Sequence, residues 1–259
     1  MKCLPLVLVA VSFLSACSTT QSIHLTQPSF TELSQRVNDA EVVILTDHTL
    51  PGHLNLSSAG ASAKERVFID PAAAVFAKQL QKVGLAHTTL NVEEMIPDAK
   101  ISTREQFDKA YKNYDMLLAQ AVKQGDTLIS LHFDADIIMS ENYKDNEHYV
   151  GGVQIILDER AVSPETFKLS YYLIHDYPLF ASLNEAGFRI RPGYSDKPRY
   201  QNNLTLNITG HSTGGGLLLE LAPQDQAIRL YDTPEKTAQA LLPSLAILAK
   251  GIADFRKTL

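Results

Sequence analysis

The chain has no tryptophan, two cysteines among 259 residues, and no excess of positive charge. Its 23 Lys and Arg stand against 29 Asp and Glu, giving a formal net charge of −6 at pH 7. Binding nucleic acid requires clustered cations to neutralise phosphates. The sequence has neither a basic stripe nor a basic amphipathic helix, so nucleic acid is not an expected partner. Long hydrophobic runs are missing too. The apolar stretch in "MKCLPLVLVAVSFLSAC" is too short to span a bilayer as a mature helix. Both cysteines, Cys3 and Cys17, lie within it. The rest of the chain therefore has no thiol for a disulfide, a thiolate metal site or a cysteine nucleophile. A metal held by that remainder must be bound by His, Asp and Glu.

The opening stretch itself is informative. Lys2, the short apolar run and the small residues before Cys17 have the flanks of an export signal. Its end, "LSAC", resembles a bacterial lipobox, which implies that Cys17 becomes the lipidated first residue of the mature protein. Ser18, rather than Asp, follows it, which resembles the Gram-negative pattern sorted to the outer membrane. The bland alternative is a plain secretory signal with a chance cysteine. The expected organisation is a lipoprotein signal peptide at 1–16, a polar tether at 17–38 and one domain at 39–259. Membrane contact would be through the lipid anchor only, with the domain facing the periplasm.

Further along, apolar strands alternate with helical patterns. "EVVIL" (41–45), "LAHTTLNV", "DTLISLHF", "GGVQIIL", a segment near Leu204 and "GGLLLELA" (215–222) read as strands. Helices are predicted at 29–40, from about Pro71 to Val83, and over "STREQFDKAYKNYDMLLAQAVKQG". Two more are predicted, over "SPETFKLSYYLIHDYPLFASLNEAG" and over "TPEKTAQALLPSLAILAKGIADF", the latter with Thr233 as N-cap and Pro234 at its first position. Strands that are apolar throughout indicate an α/β domain with a mostly parallel, mixed sheet covered by helices on both faces.

Polar residues at the strand ends stand out against this background. "VVILTDH" ends at His48 and "TLISLH" at His132, while Glu220 sits inside the apolar run "GLLLEL". A lone ionised carboxylate there is costly unless it is paired or bound to a metal. Glu65, in "AKERVF", precedes the first core helix. Each also has an ordinary reading: the histidines as surface or core residues, and Glu65 as a first-turn carboxylate favoured by the helix dipole. The spacing matches no short-range zinc signature.

Taken in order, "VVILTDH", "KER", "LISLHFDAD" and "LLLELAPQDQAIRL" resemble the zinc-dependent N-acetylmuramoyl-L-alanine amidases of bacterial cell walls. "GGVQIIL" sits where that family has a Gly-Val-Glu-like strand, and the likeness covers roughly residues 41 to 255. The chain departs from the pattern twice. "LTDHTLPGH" replaces Asp-Pro-Gly-His-Gly-Gly and introduces His53, and "HTTLNVEE" stands in place of Leu-Thr-Arg. It reads as a divergent member.

The resemblance implies a Zn2+ held by His48, Glu65 and His132, with Glu220 as general base and then acid. His53 is the alternative first ligand or a substrate-facing residue. Asp134 and Asp136 are candidates to orient a ligand histidine. The implied substrate is peptidoglycan, cut between N-acetylmuramic acid and L-alanine, with an activator protein as an open possibility. Two rival readings remain: a metal-dependent amidohydrolase of a small N-acyl amino acid, and a non-catalytic peptidoglycan-binding lipoprotein.

Overall fold

Five consecutive buried positions make β1 (Val42–Thr46), apolar on both faces as an interior parallel strand must be. The computed structural model describes residues 30–46, 63–91, 105, 112, 125–134, 137–138, 149–160, 162–202, 209–210 and 212–259. α1 (Phe30–Asn38) precedes β1 and lies against β2 (His87–Asn91), with Val37 buried and Arg36 donating to the Thr89 carbonyl at 2.5 Å. α2 (Ala63–Lys82) joins β1 to β2. β3 (Thr127–Asp134) is buried along its whole length. A small antiparallel ribbon, β4 (Ile137–Ile138) with β5 (Tyr149–Val150), leads to β6 (Gln154–Asp158). Next come α3 (Pro164–Tyr171), a π-helix (Tyr172–Asp176), α4 (Leu179–Glu185) and β7 (Arg199–Gln201). β8 (Gly216–Pro223), α5 (Gln224–Tyr231), α6 (Pro234–Ala240) and α7 (Leu242–Arg256) close the chain.

The main sheet runs β2-β1-β3-β8-β6-β7. Pairings β2/β1, β1/β3 and β3/β8 are parallel, β8/β6 is antiparallel, and β6/β7 is parallel again. The expected mixed, mostly parallel sheet is present. Because β6 runs against β8, the carboxyl ends of β1, β3 and β8 share an edge with the amino end of β6. On one face, Ile129, Leu131, Leu217, Leu219, Ile155 and Leu157 form a continuous core with side chains of α2, α4, α6 and α7. The opposite face is also buried, since Val43, Leu45 and Leu128 are sealed from solvent.

Three helix predictions need correction. α2 begins at Ala63, well before Pro71, and carries that proline in its interior. The lost backbone bond is tolerated because Phe68, Ile69, Ala72, Phe76 and Leu80 anchor the helix in the core. The predicted C-terminal helix is two helices bent by 54°. Pro243 stands in the first turn of α7, where its ring does no harm, and it cannot continue α6. Thr233 caps α6 as expected, its hydroxyl accepting from Lys236 N–H at 3.2 Å. The long stretch around Tyr171 breaks into α3, the π-helix and α4, the π turn closing with Tyr177 N–H to the Tyr172 carbonyl at 3.1 Å. That turn brings Tyr177 onto Asp254 and Lys250 of α7.

The strand expected near Leu204 falls largely outside the described residues, and β7 lies just before it. Of the helix predicted before β3, Glu105 and Lys112 are described and are helical. The proposed signal segment and Cys17 lie outside the described residues. Among the described residues no single helix is long and apolar enough to cross a membrane.

Candidate active site

Strand register brings three polar residues together at the shared edge. His132 of β3 pairs with Glu220 of β8, and Glu220 pairs on its other side with Gln154 of β6. Side chains alternate along a strand, so Ser130, His132, Gln154 and Glu220 lie on the face opposite the main core. The β3/β8 register shifts between His132 and Asp134, a bulge of the kind that re-aims side chains beside functional sites.

Glu65 reaches this edge from the first turn of α2. It is 4% exposed, and its Oε1 accepts the Phe133 N–H at 2.9 Å and lies 3.2 Å from Nδ1 of His132. On the other side of the His132 ring, Nε2 is 2.9 Å from Ser130 Oγ. Gln224, opening α5, donates to the Phe133 carbonyl at 2.7 Å and ties down the end of β3.

Asp134 anchors a second group of contacts. Its Oδ2 accepts from Gly152 N–H at 3.1 Å, from Gln154 Nε2 at 2.9 Å and from Arg191 Nη1 at 3.4 Å. Arg191 arrives here because residues 189–191 lie alongside 151–153: Val153 N–H bonds the Arg189 carbonyl at 2.8 Å, and Arg191 N–H bonds the Val153 carbonyl at 3.0 Å. Arg189 also caps the Gly151 carbonyl through two guanidinium nitrogens.

Glu220 is half-buried as a residue, yet its Oε2 is sealed from solvent and has no hydrogen-bond partner among the described residues. Burial pushes its carboxyl well above the ordinary carboxylate range. The Asp134 and Glu65 carboxylates push the same way, while His132 and Arg191 oppose them. A carboxyl in such surroundings can accept a proton from water and keep it until a leaving group needs it.

Of the candidate residues read from the sequence, Glu65, His132, Asp134 and Glu220 converge at this edge. His48, His53 and Asp136 lie outside the described residues, and β1 ends at Thr46 after pairing with β3. Among the described residues no group of three His, Cys, Asp or Glu is placed to hold a metal. Sequence reading passed over Ser130, Gln154 and Arg191. Gln154 had a visible signal, as a polar residue inside the apolar run "GGVQIIL". Arg191 had none, because a long-range pairing sets its position.

No protein-family model matches the chain, and no curated protein matches it in sequence. Among solved structures it is similar to the CwlD amidase from Clostridioides difficile, determined in complex with the GerS lipoprotein. That similarity has a TM-score of 0.52 at 15% identity, over 85% of this chain and 100% of CwlD. It is also similar to the N-acetylmuramyl-L-alanine amidase Ami1 from Mycobacterium abscessus (TM-score 0.46, 15% identity, 83% and 98% of the two chains). Ami1 from Mycobacterium smegmatis gives a TM-score of 0.48 at 11% identity, over 84% and 97% of the two chains. All three are amidases, the two Ami1 proteins being N-acetylmuramyl-L-alanine amidases, and with CwlD the chain shares its fold.

Proposed function

We propose that this chain is a zinc-dependent hydrolase that cuts peptidoglycan at the amide between the lactyl group of N-acetylmuramic acid and L-alanine. The observation that carries the reading is the meeting of Glu65, His132 and Glu220. They come from three distant segments to the ligand-binding edge of a sheet with the CwlD fold.

The donor set suits zinc, which favours imidazole nitrogen and carboxylate oxygen where thiolates are lacking. Glu65 Oε1 and His132 Nδ1, 3.2 Å apart, are a carboxylate oxygen and an imidazole nitrogen already brought side by side, donors of the kind zinc would take. His48, Glu65 and His132 would hold the ion, with His53 as the alternative to His48. Bound there, zinc would polarise the scissile carbonyl and acidify a water near neutral pH.

The chain's own groups supply the remaining steps. Ser130 and Glu65 hold the His132 ring from both sides, so its orientation is set before any ligand arrives. Glu220 accepts the proton of the attacking water and returns it to the departing L-alanine nitrogen. Arg191 and the Asp134 group keep the floor of the site in one arrangement.

The signal reading gives a place for this chemistry. A lipid on Cys17 would hold the domain in the periplasm at the outer membrane, beside the murein. CwlD was determined with a lipoprotein partner, which supports testing whether this chain too takes a protein partner.

The purified domain is expected to bind about one zinc per chain and to release peptides from muropeptides until a chelator is added. Glu220→Gln should keep zinc and lose at least about 100-fold in kcat. His48→Ala and His53→Ala, compared for zinc content, identify the third ligand. Stoichiometric zinc with hydrolysis of free N-acyl amino acids, and none of muropeptides, would move the substrate to the small-molecule alternative. Murein binding without metal or cleavage would sink the hydrolase reading.

A further inference from the structure

Gln154 opens β6 with no exposure to solvent, and the two ends of its amide are treated differently. Nε2 donates to Asp134 Oδ2 at 2.9 Å, and that carboxylate is itself held by Gly152 N–H and Arg191. Oε1 has no hydrogen-bond partner among the described residues, and it shares this with Glu220 Oε2. A buried polar atom without a partner is destabilising, so two of them on paired residues ask for an explanation. They belong to register partners on antiparallel strands, whose Cβ atoms stand about 5 Å apart on the same face. Two bare oxygens gain nothing from being near each other. With one proton between them they make a hydrogen bond.

We propose that Gln154 is a positioning residue for Glu220: its amide, pinned at Nε2 by Asp134, presents Oε1 as the fixed acceptor for the O–H that Glu220 carries midway through hydrolysis. The inference rests on the hydrolase reading above and adds a part to it. Water adds its oxygen to the carbonyl carbon and a proton passes to Glu220. The C–N bond then breaks as that proton moves to the nitrogen, leaving a carboxylic acid and an amine. Gln154 neither gives nor takes a proton. It holds the carboxyl in one orientation between the two transfers and so shortens the search for the leaving nitrogen.

Gln154→Met keeps the side chain's length and removes the acceptor. On a muramoyl-L-alanyl peptide its kcat should fall about 10-fold, the scale of one lost hydrogen bond, with KM and bound zinc unchanged. On a muramoyl anilide, whose weakly basic leaving nitrogen needs less help from an acid, the loss should shrink. Gln154→Asn withdraws the acceptor by one carbon, should give the same pattern, and carries the test if the Met variant does not fold. Equal losses on both substrates, lost zinc, or an unchanged kcat would each overturn the assignment. A wild-type enzyme that cleaves neither substrate overturns the hydrolase reading itself, and the role of Gln154 falls with it.

Discussion

Ser130 Oγ lies 2.9 Å from Nε2 of His132, two residues along the same strand and on the same face. The hydroxyl is wholly buried and the ring 4% exposed, so neither can turn away to water. A serine hydroxyl can donate or accept, so it holds Nε2 in either tautomer while Glu65 Oε1 faces Nδ1 at 3.2 Å. Ser130 therefore fixes how the ring is turned, the task of a group that orients a ligand histidine.

This gives a direct prediction for the metal. Ser130→Ala should weaken zinc binding by about 10- to 100-fold, the usual cost of removing a group that orients a ligand histidine. Titration calorimetry against a competing chelator measures it. An unchanged affinity would show that Glu65 alone sets the ring.

Glu220 couples stability to pH in a direction that can be worked out. Burial, reinforced by Asp134, holds its carboxyl well above the ordinary range in the folded protein, whereas in the unfolded chain it ionises near about 4.3. Between those two points the folded state carries a proton that the unfolded state lacks. The proton's contribution is fully present below about pH 4.3 and is lost as pH rises through the folded value. Glu220→Gln has no charge to bury. The metal-free variant should therefore melt above the metal-free wild type at pH 7, with the gap closing towards pH 4. Melting curves at several pH values check this, and a gap independent of pH would contradict it.

Much of this arrangement was legible in the sequence because the sheet is built from unbroken apolar runs. In such runs a polar side chain is conspicuous, which is why His132 and Glu220 could be singled out before their register was known. Pro71 misled because proline usually marks a first turn, and the core contacts of Phe68 and Ile69 outweigh that preference. The break at Leu241 had a readable cause in Pro243, whereas the π turn at Tyr172 had no local signal. Arg191 was invisible for a different reason. It reaches Asp134 only because the 189–191 segment lies against 151–153, a contact between distant parts of the chain.

A cap that makes none of the site's hydrogen bonds provides a control. Thr233 accepts the Lys236 N–H at 3.2 Å, and its own carbonyl accepts from the Thr237 hydroxyl at 3.0 Å. Thr233→Ala should cost about 1 kcal/mol of stability and leave zinc affinity and kcat where they were. Chemical denaturation measures the first and the amidase assay the second. A fall in kcat at full folding would mean that α6 communicates with the site.

Gly152 is the position where backbone packing bears most directly on the site. A Cβ there would stand 2.5 Å from Arg191 N and 2.8 Å from the Arg189 carbonyl oxygen, both backbone atoms with no rotamer to yield. Gly152→Ala must therefore push the 189–191 segment away from β6. That strains the Val153–Ile190 bridge and draws Arg191 from Asp134. Overpacking of this kind costs about 1–3 kcal/mol, and the loss of the arginine contact loosens the carboxylate that pins Gln154. The expected result is a lower melting temperature together with a kcat reduced about 10-fold, while zinc, held by Glu65, His132 and the third proposed ligand, still binds with wild-type affinity. Melting, zinc titration and turnover on one preparation separate these effects. Zinc affinity falling in step with stability would show that the two halves of the site are not independent.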